Sequence, residues 1–198
     1  MEAEIIDWGI LMIVFLLEEP SMEAFLNVIL PEILGDEPFM LISHEGKGDL
    51  LKSIPIKLKG WPKADTGFVI VHDQDANDCV LLKKKILEIC KPYKRKVLVR
   101  IVCRELESWY FGDISAVEAA YGKSLNKLRN NKKYRVPDEI PDPKAALLKA
   151  LPELTQIDGA KRIAKHMEID RNTSYSFHVL VDGIRDFARG LKENAFFE

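Results

Sequence analysis

Cysteine, excess positive charge and long apolar runs are all in short supply in this 198-residue chain. Its three cysteines, Cys79, Cys90 and Cys103, form no CxxC pair, and an odd count without other secretory signs argues against a disulfide framework. A reducing, cytoplasmic compartment is expected. The lack of a Cys/His ligand cluster likewise argues against a structural zinc. Lys and Arg total 29 against 31 Asp and Glu, a formal net charge of −2, so no broad basic field would draw nucleic acid indiscriminately. Only a local basic patch can do so. The apolar segment WGILMIVFLL, residues 8–17, is too short for a membrane helix and follows Glu2, Glu4 and Asp7 rather than a basic region. No membrane partner is expected, and no internal repeat or low-complexity tract is visible.

With 47% hydrophobic and 30% charged residues, the chain can bury a substantial core. ILMIVFLL, continuous and partly β-branched, reads as a first strand covered on both faces. Ser21 then offers a cap for a helix through MEAFLNVILPEIL, which Pro31 must bend or break. FMLIS (39–43) reads as a second strand, GDLLKSIPIKL as a less regular helix because of Pro55, and GFVIVH as a third strand. DCVLLKKKILEIC (78–90) is an amphipathic helix, and KVLVRIVC (96–103) a fourth strand. Strands alternating with helices imply an α/β fold with a mainly parallel four-stranded sheet and right-handed crossovers. From about Trp109 onward the chain reads helical around a Pro-rich cover segment, Asn130 to Pro143. A core over residues 1–112 and a helical extension over 113–198, packed as one structural unit, are expected.

In open α/β sheets ligands bind at the carboxyl ends of the strands, and the acids of this chain collect there. Glu18 and Glu19 close the first strand, His44 and Glu45 the second, Asp73 and Asp75 the third, and Arg104, Glu105 and Glu107 the fourth. Residues i and i+2 of an extended segment point the same way, so Asp73 and Asp75 can converge, as can Glu105 and Glu107. If the segment from 105 is helical, the latter two diverge by about 200° and only one reaches the site. Crowded carboxylates repel unless a cation neutralises them, and hard oxygen ligands suit Mg²⁺ or Mn²⁺. The plainer reading is a solvated turn in which Asn77 or Asp78 caps the next helix. That reading is preferred for Asn77 and Asp78, and metal binding for Asp73 and Asp75.

The stretches EEPSMEAFL, HEGKGDLLK, HDQDANDC, RIVCRELESWYFGD, GAKRIA and NTSYSF together resemble a family of Toprim-like domains of unknown function (family 4276). A strand ending in Glu and a later one ending in Asp-x-Asp also resembles the Toprim domain of topoisomerases, primases and the overcoming-lysogenization-defect (OLD) nucleases. The resemblance implies metal ligands at Asp73, Asp75 and the first-strand acid, Glu18 or Glu19, since Glu19 stands where Toprim proteins usually place Gly. It implies a helix carboxylate at Glu23 and ligands of a second ion at Glu105 and Glu107. A lysine that stabilises transition-state charge is implied at Lys161, with Lys47 second. One or two Mg or Mn ions, phosphodiester cleavage and a partner ATPase of the ABC or SMC-like type in defence against phage or plasmids follow as expectations.

Beside the acids, Lys132, Lys133 and Arg135 in NNKKYR, together with His44, are the candidates for nucleic-acid contact. His72 reads as packed and hydrogen-bonded on the opposite side of its strand, Trp109 as a core anchor, and Asn172 or Thr173 as a helix cap. Cys103 has no evident His partner to make it a nucleophile. Two other functions stay open: a catalytically inactive binding or regulatory subunit, and a phosphohydrolase acting on a small ligand.

Overall fold

A computed structural model describes residues 12–195. Residues 8–11, which the sequence assigns to the start of the first strand, lie outside the described residues. The apolar stretches fold into four parallel strands, β1 (Ile13–Leu17), β2 (Phe39–Ser43), β3 (Gly67–Asp73) and β4 (Val97–Val102), in the order β2-β1-β3-β4. This is the expected α/β fold. Between the strands run α1 (Pro20–Leu34), α2 (Lys47–Gly60) and α3 (Cys79–Cys90). After β4 come α4 (Glu107–Gly112), α5 (Ile114–Tyr121), α6 (Asn126–Arg129), α7 (Pro143–Ala150), α8 (Gln156–Ala164) and α9 (Tyr175–Ala195).

The two-residue period of the central strands divides the core between two faces. Ile13, Phe15, Leu17, Val69 and Val71 pack beneath α1 and the helices of the C-terminal half. Val14, Leu16, Phe68 and Ile70 pack on the other face with Leu50, Ile54 and Leu58 of α2 and Leu82 and Ile86 of α3. Both faces of β1 and β3 are therefore dry, which is why these strands read as unbroken apolar runs. Phe25 of α1, Trp109 of α4 and Phe177 of α9 form an aromatic knot with ring centroids 5.4–6.3 Å apart, joining early and late helices beneath the strand ends. Trp109 is thus a core anchor, and its Nε1–H donates to the Ser176 hydroxyl at 3.0 Å.

Several local readings need correction. Helix α1 begins at Pro20 with Glu19 in the capping position, and the Ser21 hydroxyl donates to Glu19 (3.4 Å) instead of capping. Neither Pro31 nor Pro55 ends its helix: α1 continues to Leu34 and α2 to Gly60. Buried faces of both helices supply packing that outweighs one missing hydrogen bond each. Helix α9 is capped by Ser174, whose hydroxyl accepts from the Phe177 N–H at 3.2 Å. Asn172 instead ties α4 to this turn, donating to Trp109 O and accepting from the Ser174 N–H, both at 2.9 Å. Asp78 caps α3 as expected, accepting from the Leu81 N–H at 2.9 Å.

Candidate functional site

The chain leaves β1 for β2 on one side and reaches β3 on the other, so the carboxyl ends of β1 and β3 flank the switch point of the sheet. In sheets of this kind a crevice opens there. It is walled by Glu18 and Glu19 after β1, Asp73 at the end of β3, Glu105 and Glu107 around the start of α4, and Lys144 of α7. The cavity measures about 30 Å³, room for one or two water-sized groups.

Each wall residue is held by its own local structure. Glu18 is buried, and its Oε2 accepts from the Asp73 N–H at 3.0 Å and lies 3.0 Å from His72 Nδ1. His72 Nδ1 is also 2.6 Å from Asp73 O; both neighbours are acceptors, so Nδ1 carries the proton. His72 is therefore packed and hydrogen-bonded, as expected, but it touches the Glu18 carboxylate and does not point away from the acids. Burial pushes the Glu18 carboxyl up, yet the His72 hydrogen bond and charge outweigh it and hold Glu18 below its ordinary value. Burial opposes charge on His72, and Glu18 in turn raises its pKa.

Asp73 and Glu107 are in the opposite condition. Burial and the surrounding carboxylates, Glu18, Glu107 and Glu19 first among them, push Asp73 well above the usual range. Burial and then Glu105 push Glu107 up to about 7. Two acids are thus held partly against ionisation, a condition that an added cation relieves. Glu105 precedes α4 and Glu107 opens it, and both line the cavity, so the two do not diverge. One oxygen of Glu105 accepts from the Lys144 N–H at 2.9 Å, fastening the start of α7 over the site.

Asp75 does not join them. Strand β3 ends at Asp73, and Asp75 adopts a left-handed backbone (φ 52°), so the same-side rule for residues two apart lapses between them. Asp75 is exposed and pairs with Lys47 at 3.1 Å. Glu23 also stands apart, accepting a hydrogen bond from the Ser43 hydroxyl. Lys161 is exposed on the last turn of α8 and outside the cavity wall. Lys132, Lys133 and Arg135 are exposed around a 3₁₀ turn and are likewise absent from that wall. Lys144 stands in the cavity wall, while Lys47, paired with Asp75, acts on Glu18 only through its charge. The local signal for Lys144 was the Asp142-Pro143 helix start, with Asp142 accepting from the Ala145 N–H at 2.9 Å. Nothing in the sequence ties that start to residues forty positions earlier.

His44 is buried next to the acidic cavity, its Nδ1–H donating to Leu17 O at 2.8 Å. Burial pushes the Cys90 and Cys103 thiols up to about 11, so neither is an activated nucleophile.

A divalent ion fits the chemistry of this donor set: hard carboxylate oxygens, two of them with pKa values raised by burial and by their neighbours. It does not find a finished cage. Among the described residues, no three His, Cys, Asp or Glu side chains are already gathered to hold a metal ion.

A parallel sheet of order β2-β1-β3-β4 with acids gathered at its switch point defines an α/β domain with an acidic candidate site. The chain belongs to the family described as Domain of unknown function (DUF4276), which matches residues 17–185. The C-terminal region of the Xanthomonas campestris pv. campestris OLD protein is similar in structure, with a TM-score of 0.53 at 15% identity over 92% of this chain and 97% of that one. The C-terminal region of the Burkholderia pseudomallei OLD protein has a TM-score of 0.47 at 18% identity, covering 89% and 98%. The first likeness establishes a shared fold. No curated protein matches the sequence. No described helix is long and apolar enough to cross a membrane.

Proposed function

We propose that the protein is a metal-dependent phosphodiesterase, a nuclease of the Toprim type. The observation that carries this reading is the convergence of Glu18, Glu19, Asp73, Glu105 and Glu107, from three separate chain segments, on one cavity at the switch point. Asp73, Glu107 and the open oxygen of Glu18 would hold Mg²⁺ or Mn²⁺, with Glu19 and Glu105 beside them. When bound, such an ion supplies charge stabilisation and lowers the pKa of a ligated water. The chain's own contributions are separable from that. His72 and the Asp73 N–H clamp one Glu18 oxygen and fix the direction of the other. Lys144 sets a cation beside Glu105 and Glu107, where negative charge on a phosphate would need an answering group. By family resemblance the partner is an ABC or SMC-like ATPase and the role is defence against foreign DNA.

Cleavage of supercoiled and linear DNA with Mn²⁺ or Mg²⁺ tests this reading on the wild type beside Asp73→Asn, Glu107→Gln and Lys144→Met. Activity is expected to fall at least about 100-fold in the first two. Lys144→Met is expected to fall about 10–100-fold. Wild type inactive with both ions, or Asp73→Asn as active as wild type, rejects it. A second reading, a regulatory subunit without catalysis, is favoured by one observation. Among the described residues no trio of ligands is gathered, and Glu18 and Glu105 already spend an oxygen on protein donors.

A further inference from the structure

A second pocket, of about 260 Å³, shares Glu107 and Lys144 with the acidic cavity. Two helices set its polarity. In α4 Glu107 and Tyr110 are three residues apart, and in α7 Lys144 and Leu148 are four apart, so each pair lies along one helix face. In both helices the member that also borders the acidic cavity is charged, and the member that lines only the second pocket is an aromatic or aliphatic side chain. Leu154, just before α8, adds a further apolar wall, and Gln156, in the first turn of α8, adds an exposed amide. The pocket therefore has an ionic mouth where it meets the acids and an apolar body beyond.

Two polar groups of this wall have no answering group within the protein. Tyr110 is 2% exposed, and its hydroxyl makes no hydrogen bond among the described residues; unlike the Tyr121 hydroxyl it is not sealed off, and the pocket is the space it borders. A buried tyrosine hydroxyl ordinarily finds a partner, and one left open gives a ligand a hydrogen bond at no cost to the fold. Lys144 is half-buried, and its ammonium group forms no ion pair among the described residues. Leu148, 36% exposed, leaves the apolar body open to entry.

We infer that this pocket receives the nucleobase of a nucleotide whose phosphate lies at the Lys144 mouth. The inference rests on the phosphodiesterase reading for the presence of that phosphate at the acidic cavity. A nucleotide joins an anion to a flat ring with apolar faces and hydrogen-bonding edges, and the pocket offers a counterpart to each: the Lys144 ammonium, the Leu148 and Leu154 chains, and the Tyr110 hydroxyl with the Gln156 amide. A hydrocarbon ligand would leave the Tyr110 hydroxyl unanswered, and a free phosphate would leave the apolar walls wet. A base seated here fixes its phosphate in register with the acids, which is the positioning that cleavage requires.

The probe is thymidine 3′,5′-bisphosphate, titrated by calorimetry against the full chain with Mg²⁺, beside the abasic sugar bisphosphate, which carries both phosphates and no base. Neither compound contains a phosphodiester, so the titration proceeds without cleavage. The thymidine compound is expected to bind at least about tenfold tighter than the abasic one. Leu148→Trp fills the pocket from a partly exposed position on α7 and is expected to cut that ratio below about threefold. Tyr110→Phe keeps the ring and its packing and is expected to lower the ratio by about threefold or more. Lys144→Met is expected to weaken both compounds alike and leave the ratio standing. Equal affinity for the two compounds in the wild type, or a ratio that Leu148→Trp and Tyr110→Phe both leave unchanged, overturns the inference. Base-dependent binding that responds to these variants in a protein that never cleaves DNA keeps the pocket and rejects the nuclease reading. Cleavage of oligonucleotides at a rate indifferent to an abasic residue on either side of the cut keeps the nuclease and rejects the pocket.

Discussion

Glu107 shows what a single side chain in this site costs the fold. An ordinary glutamate titrates near 4.5, and here burial and Glu105 push Glu107 up to about 7. Between those values the unfolded chain releases the proton while the folded chain keeps it, so stability falls as pH rises through this window. The loss is complete above about pH 7 and amounts to about 3 kcal/mol for a buried group shifted this far. Glu107→Gln is therefore expected to melt above the wild type at pH 8 in a chelator, with the gap closing toward pH 4.5, as followed by circular dichroism. An unchanged gap across that range means that Glu107 ionises freely. Lys47 presents the contrary case. Its pair with Asp75 is exposed, and burial does not strengthen it, so Lys47→Met is expected to leave the urea-derived stability nearly unchanged. A larger effect would give Lys47 a role beyond this pair.

Among elements, the start of α9 is the most heavily tied. Asp138, in a turn far upstream, accepts from the Ser174 hydroxyl at 2.7 Å and from the N–H and hydroxyl of Ser176, both at 2.9 Å. Asn172 reaches back to α4, whose Gly112 leaves no room for a side chain: a Cβ there would stand 1.9 Å from the Asn172 Oδ1. These contacts hold α4, and with it Glu107, against the aromatic knot. Asp138→Ala removes the acceptor shared by three donors, of which one hydroxyl can still turn to the other at 3.2 Å, and is expected to cost about 2–3 kcal/mol by chemical denaturation. Cleavage or metal binding should weaken with it, since α4 carries Glu107. A loss under 1 kcal/mol would mean that water replaces Asp138 without penalty.

For the molecule as a whole, a cluster of mutually repelling acids is a stability deficit that a bound cation turns into a gain. A ligand binding only the folded state stabilises by about 2.7 kcal/mol at 100 times its Kd. Mg²⁺ or Mn²⁺ is therefore expected to raise the wild-type melting temperature by several degrees, while Asp73→Asn starts higher in the chelator and gains little from the ion. Equal shifts in both proteins place the ion elsewhere. The same measurement bears on function, because a partner subunit without catalysis would show the deficit without the gain.

The alternation of apolar strands with helices was legible in the sequence because each local period reflects which faces are dry, and β2 lies at Phe39–Ser43 as read from residues alone. So were the acids at the carboxyl ends, since strand exits in a parallel sheet share one edge. Which acids meet was settled by tertiary structure. A left-handed residue after β3 turns Asp75 out to Lys47, while α7 brings Lys144 in across the sheet. Local pattern records burial and direction along one element. Distances between elements depend on crossings, turns and caps summed over the whole chain, and the composition of the acidic wall is such a distance.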